Sequence, residues 1–175
     1  MIIDKIKKKI RIRNWKKEGL IVGKNFQLER NSYIDSSFPW LIEIGNDVTI
    51  APDSLILSHD GSTKKVIGYS KIGKVVIGNN VFVGTKCIIL PNTVIGNNVV
   101  IGAGSIVSGN IPNNTLVVGN PAKVVSSIED FKNKHESIMK NSVIFDITYT
   151  KKGKINQSKK DEMKKIIKNK NQYIV

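Results

Sequence analysis

From Ile77 onward the chain repeats every six residues: IGNNVF, VGTKCI, ILPNTV, IGNNVV, IGAGSI, VSGNIP. The first position of each hexad is aliphatic: Ile77, Val83, Ile89, Ile95, Ile101 and Val107. The fifth is small or branched: Val81, Cys87, Thr93, Val99, Ser105 and Ile111. The same frame runs upstream from Val22 (VGKNFQ, LERNSY) and from Ile44 (IGNDVT, IAPDSL). A period of six fits neither a helix nor a simple alternating strand. It predicts a coil of short strands separated by turns, with the first and fifth positions inward and Val and Ile in the strands. Position two is mostly glycine, so the turns are expected to use its backbone freedom. Three hexads would close one triangular coil, and stacked coils would share an aliphatic core.

The phase slips twice. After Ile34 the next start falls on Trp40, yet the frame resumes at Ile44, so SSFPWLIE (36–43) bulges or bends. The larger break, HDGSTKKVIGYSKIGKVV (59–76), is polar and rich in Gly, Ser and Lys. It reads as an excursion loop leaving one corner of the coil, and long loops in compact repeats usually carry function. Outside the repeat, residues 3–18 predict a basic helix. SSIEDFKNKHESIMKN places Ile128, Phe131, His135 and Ile138 at helical spacing. SVIFDITYTKK predicts a short strand, and KKDEMKKIIKNK a second basic helix. The expected organisation is a basic N-terminal helix (1–19), a β-helix (20–125, with the loop 59–76) and a basic helical extension (126–175). The flanks are expected to cap the open ends of the stack.

Composition narrows the class. The 175 residues carry a net charge of +14 and a mean hydropathy of −0.14. Residues 1–20 hold eight bases and two acids, and residues 125–175 hold twelve lysines and six acids, while the middle is near neutral. Basic ends on a neutral scaffold argue against a continuous nucleic-acid groove, so no specific nucleic acid is expected. Weak association of the flanks with an anionic membrane is an expectation of the same pattern. No apolar run approaches the roughly 20 residues that span a bilayer, and the N-terminus lacks the pattern of a secretory signal. The single cysteine, Cys87, fits a reducing compartment, so the expected location is cytoplasmic.

The stretch VVIGNNVFVGTKCIILPNTVIGNNVVIGAGSIVSGNIPNNTLVVGNPAKVV (75–125) resembles the hexapeptide-repeat acyltransferases. The likeness covers about residues 20–125. The ending IGAGS…IP.N….GNPAKV is similar to the galactoside and maltose O-acetyltransferase branch, which includes acetyltransferases of capsule and lipopolysaccharide clusters. The resemblance implies a mainly β, left-handed parallel β-helix with helical flanks. It also implies acetyl-CoA as acyl donor, a saccharide acceptor and a homotrimer with sites between subunits. An amino-sugar nucleotide N-acyltransferase, and a non-catalytic β-helix assembly module with basic tails, remain alternatives.

The residues themselves limit the chemistry. Two histidines and one cysteine cannot build a Cys-rich zinc site. There is no phosphate-cradling loop and no serine nucleophile elbow. Direct acyl transfer from a thioester requires no metal; it needs a base for the acceptor hydroxyl. His59, where a hexad strand gives way to the loop, is the expected base. Asp60 is a candidate helper, although adjacent residues rarely face each other; Asp35 or a backbone carbonyl would orient the ring as well. His135, in a helix, is expected to pack. The resemblance further implies coenzyme contacts at Phe82, Thr85, Ala103, Ser108, Gly109 and Lys123. Gly109 departs from the family's usual lysine, and DGST departs from the proline-containing stretch of the sugar enzymes.

Overall fold

The computed structural model describes residues 2–168 and 171–175, with side chains from residue 9 onward. The chain forms two compact units, Met1–Ile128 and Glu129–Val175. The first is a left-handed parallel β-helix whose short strands stack into three sheets, the faces of a triangular prism. Face one holds Ile21–Val22, Ile42–Ile44, Val75–Ile77, Thr93–Ile95 and Asn110–Ile111. Face two holds Gln27–Leu28, Thr49–Ile50, Val81–Val83, Val99–Ile101 and Thr115–Gly119. Face three holds Tyr33–Ile34, Leu55–Ile56, Ile88–Ile89 and Ile106–Val107.

The six-residue pattern produces this stacking directly. Val81 pairs with Val99, and Val83 with Ile101, three hexads later. First-position Ile50, Val83, Ile101 and Val107 and fifth-position Val48, Cys87 and Val99 are fully buried. Thr93 and Ser105 are buried in the same rows. Their hydroxyls donate to turn carbonyls, Thr93 to Leu90 O at 2.6 Å and Ser105 to Gly102 O at 2.6 Å, so neither leaves an unpaired polar group inside.

The glycines serve a different purpose from the expected one. The left-handed residue of each regular turn is the fourth, as at Asp47 (φ 56°), Asn80 (φ 54°), Lys86 (φ 58°) and Asn98 (φ 54°). Asparagine tolerates this region, and here its side chain also bonds the next coil: Asn80 Nδ2 donates to Asn98 Oδ1 at 3.0 Å and Asn98 Nδ2 to Asn114 Oδ1 at 2.8 Å. The second-position glycines are needed for space. A Cβ at Gly45 would lie 2.6 Å from Gly78 O, and one at Gly78 would lie 2.7 Å from Gly96 O.

All irregularities of the coil fall at the corner where face three turns into face one. The first slip occupies residues 36–41 and includes a 3₁₀ turn at Pro39–Leu41; Ile42 and Glu43 already belong to a strand. The second is shorter than expected, because Val75 re-enters face one beside Ile42 and Thr93. Inside it, His59–Asp60 pair antiparallel with Lys71–Ile72, and Lys64–Ile67 form a helical turn. At this corner the last coil is two residues short: Ile111 pairs with first-position Ile95, not with a fifth position. Counting hexads straight through VSGNIP missed that contraction.

At its N-terminal end the helix Ile2–Lys17 supplies Trp15, which joins Leu20 and Leu28 in the core. At the other end Thr115–Gly119 folds back through a cis Asn120–Pro121 bond into antiparallel Ala122–Ser127. In the second unit Ile144–Phe145 pair in parallel with Tyr173–Ile174 over buried Phe145, and Gln157–Ile166 form a helix. The helix expected over 159–170 is therefore shifted, and residues 169–170 lie outside the described residues. His135 Nδ1 lies 2.9 Å from Tyr173 Oη and stacks edge-on against Phe131, so it packs this unit. Among the described residues no helix is long and apolar enough to cross a membrane.

Candidate active site

The two slips leave the same corner on successive coils, and this brings together residues far apart in sequence. Ile34 pairs with Ile56. The residues that follow each of them therefore lie one above the other. Asp35 sits on the lower coil, and Ser58 and His59 on the upper. Asp35 is fully buried. Its Oδ1 accepts from Ser37 N–H at 3.0 Å. Its Oδ2 accepts from Ser58 N–H at 3.0 Å and from Ser58 Oγ–H at 2.9 Å. His59 Nδ1 lies 2.5 Å from the same Oδ2. Burial alone would push the Asp35 carboxyl up. The hydrogen bonds from Ser37, His59 and Ser58 outweigh it and hold the carboxyl below its ordinary value. The carboxylate is thus ionised near neutral pH and accepts a hydrogen bond from Nδ1–H, which leaves Nε2 as the basic nitrogen of the ring.

The imidazole is 37% exposed, anchored on one edge and open on the other. Phe38, from the first slip, packs edge-on against it with ring centres 5.6 Å apart. Nothing in the hydrophobic pattern marked Phe38 or Ser58. The available signal was the spacing of the slips: both begin within three residues of a face-three isoleucine.

Asp60 points elsewhere. Its Oδ1 accepts from Ser62 N–H at 2.8 Å, and its Oδ2 pairs with Lys71 Nζ at 2.9 Å across the hairpin. The lysine and the Ser62 bonds hold its carboxyl far below the usual carboxylate range. It closes the loop, and the bond to the imidazole is made by Asp35.

The six residues considered for the coenzyme divide between two corners and a face. Phe82 projects from face two and is half exposed. Thr85 and Ala103 stack at the corner between faces two and three, where Gly104 N–H donates to Thr85 O at 2.8 Å. Lys123 lies on the antiparallel strand opposite Val118, just past the turn above that corner. Ser108 and Gly109 (φ 73°) form the contracted turn at the His59 corner. Among the described residues no group of three or more His, Cys, Asp or Glu side chains could hold a metal ion.

Residues 74–109 match the bacterial transferase hexapeptide (six repeats) family. The chain is 41% identical over 151 residues to Protein CapG of Staphylococcus aureus, covering 82% of each. It belongs to the hexapeptide-repeat acyltransferases. It is 36% identical over 122 residues to the galactoside O-acetyltransferase of Escherichia coli, covering 65% of this chain and 59% of that one. A maltose O-acetyltransferase of Clostridium difficile superposes with a TM-score of 0.56 at 38% identity, over 62% of this chain and 59% of that one. A Vibrio cholerae hexapeptide-repeat acetyltransferase, solved with acetyl coenzyme A, gives 0.57 at 25% identity, over 63% and 61%. This chain spans less than two thirds of the length of each of these last three proteins.

Proposed function

We propose that this acyltransferase moves an acetyl group from acetyl coenzyme A to a hydroxyl of a saccharide, a surface-polysaccharide precursor, with His59 as general base. The observation that carries the reading is the buried Asp35 carboxylate 2.5 Å from His59 Nδ1. It fixes the ring with Nε2 outward and stabilises the imidazolium formed when Nε2 takes the acceptor proton. As the acceptor oxygen bonds to the acyl carbon and the carbon–sulfur bond breaks, His59 returns that proton to the departing sulfur. Asp35 holds the same hydrogen bond throughout. Bound acetyl coenzyme A supplies an acyl group already activated as a thioester.

The residues present suit that donor. Ala103 is small and exposed beside Thr85, which allows an extended chain to approach the backbone. Lys123 is exposed and offers a cation to phosphate. Face three separates the Thr85–Ala103 corner from the His59 corner within one chain. A homotrimer that sets one chain's donor corner beside its neighbour's His59 would unite them. The test is acceptor-dependent thiol release from acetyl coenzyme A over a panel of saccharides, comparing wild type with His59→Ala. Absence of acceptor-dependent release, or an unchanged rate in the variant, overturns the reading.

A further inference from the structure

We infer that the indole of Trp40 is the platform on which the saccharide acceptor rests while it offers a hydroxyl to His59, an inference that rests on the saccharide reading above. Trp40 is 56% exposed, whereas Trp15, the other tryptophan, is 6% exposed. An indole left in water at the rim of a reactive site forgoes its hydrophobic stabilisation, which favours a ligand that covers it.

Its placement is fixed at the root. Trp40 lies in the 3₁₀ turn after buried Pro39. Its Cβ leaves no room for a side chain at position 19: a Cβ on Gly19 would lie 2.7 Å away, at φ +102°. Phe38 stands edge-on to the indole with centres 5.6 Å apart and edge-on to His59 at the same distance. The centres of Trp40 and His59 are therefore at most twice that distance apart, with Phe38 packed against both. Asp35 ties the arrangement together, because Oδ1 holds Ser37 N–H two residues before the turn while Oδ2 holds His59. One buried carboxylate thus sets both the base and the segment carrying the platform.

The chemistry matches a sugar ring better than other acceptors. One face of a pyranose is largely C–H, slightly positive, and suits the negative face of an indole, while the indole N–H can donate to a hydroxyl. A ring resting there would keep its remaining hydroxyls free to reach Nε2.

The experiment pairs kinetics with fluorescence on the full chain. In Trp40→Ala the acceptor KM should rise about tenfold, the worth of one aromatic contact. The acetyl coenzyme A KM should be unchanged, and Trp40→Tyr should recover most of the loss. Titrating saccharide without donor should quench wild-type emission and leave Trp40→Phe, which reports only Trp15, unaffected. An unchanged acceptor KM in Trp40→Ala overturns the inference while leaving acetyl transfer intact. So does a change in sedimentation of Trp40→Ala, which would assign the ring to a contact between copies. If wild type shows no acceptor-dependent transfer, the saccharide reading fails on its own. The quench then decides Trp40 separately: its presence supports the platform and its absence overturns it.

Discussion

Asp35 Oδ2 and His59 Nδ1 lie 2.5 Å apart although 24 positions separate the residues in the chain. The coil creates this proximity. One turn of the prism, lengthened by the first slip, returns the chain to the corner it left. Each slip removes its residues from the core stack, which leaves Asp35 buried at the corner and the His59 imidazole partly exposed above it. The oriented base is thus a consequence of register, and it sits on strands whose positions are set by a continuous aliphatic core.

Asp35→Asn should lower kcat by about a hundredfold or more with little change in the acetyl coenzyme A KM. The amide cannot stabilise the imidazolium, and its NH₂ group can favour the wrong tautomer. His59→Ala should lose at least as much. If the two act as one unit, the double variant should be no worse than His59→Ala by more than a small factor. Initial-rate thiol release on the three variants decides this. Additive losses would show that Asp35 acts by another route.

The same carboxylate should shape acid stability. Its folded-state pKa is depressed below the unfolded value. Protons therefore bind the unfolded chain more readily, and stability rises with pH in this range. The contribution is fully present above the unfolded pKa of about 4 and is lost as pH falls through the folded value. Urea unfolding from about pH 3 to 7 should show wild type losing stability on the acid side. Asp35→Asn should show a shallower dependence there. At neutral pH it should be less stable by about 1–3 kcal/mol, because its NH₂ group would meet donors from Ser37 and Ser58.

Much of the fold was legible because period-six burial leaves a plain trace: Ile77, Val83 and Ile89 recur regardless of what surrounds them. The turn chemistry was harder to read. Glycine at position two and asparagine at position four both mark turns, and sequence alone does not say which has the positive φ and which meets the neighbouring coil. The Ile111 contraction was hidden because isoleucine suits the first and the fifth positions equally. At the site, His59 stood out as a scarce residue at a break in the repeat. Asp35 was one of several partners that could be imagined, and choosing it requires knowing that both slips share a corner. Phe38 and Trp40 left no periodic signal, since their roles depend on a four-residue insertion with no repeat of its own.

The glycine ladder makes a separate claim about stability. Gly45→Ala and Gly78→Ala should each destabilise by about 1–3 kcal/mol, because the added methyl must push adjacent coil backbones apart. Gly104→Ala tests a different cause. Nothing lies within 4 Å of its Cβ position, but φ is +74°. Its loss should be about 1–2 kcal/mol from backbone strain alone. Replacing Gly104 by Asn, which tolerates that region, should recover part of it, whereas Asn at position 45 or 78 should be worse than Ala. Equilibrium unfolding with an unchanged m-value checks all six.

Asp60 gives the sharpest contrast with Asp35. It is adjacent to the base in sequence, yet its oxygens are engaged by Ser62 and Lys71. Asp60→Asn keeps an oxygen for Ser62 N–H and loses only the charge facing Lys71. Exposed ion pairs contribute little, so kcat should stay within roughly threefold of wild type at moderate salt. Any loss should be shared by Lys71→Met, since both changes open the same hairpin. The comparison is made with the saccharide that gives the highest acceptor-dependent rate. A hundredfold fall in kcat for Asp60→Asn, with Lys71→Met unaffected, would return Asp60 to the catalytic apparatus and displace the assignment to Asp35.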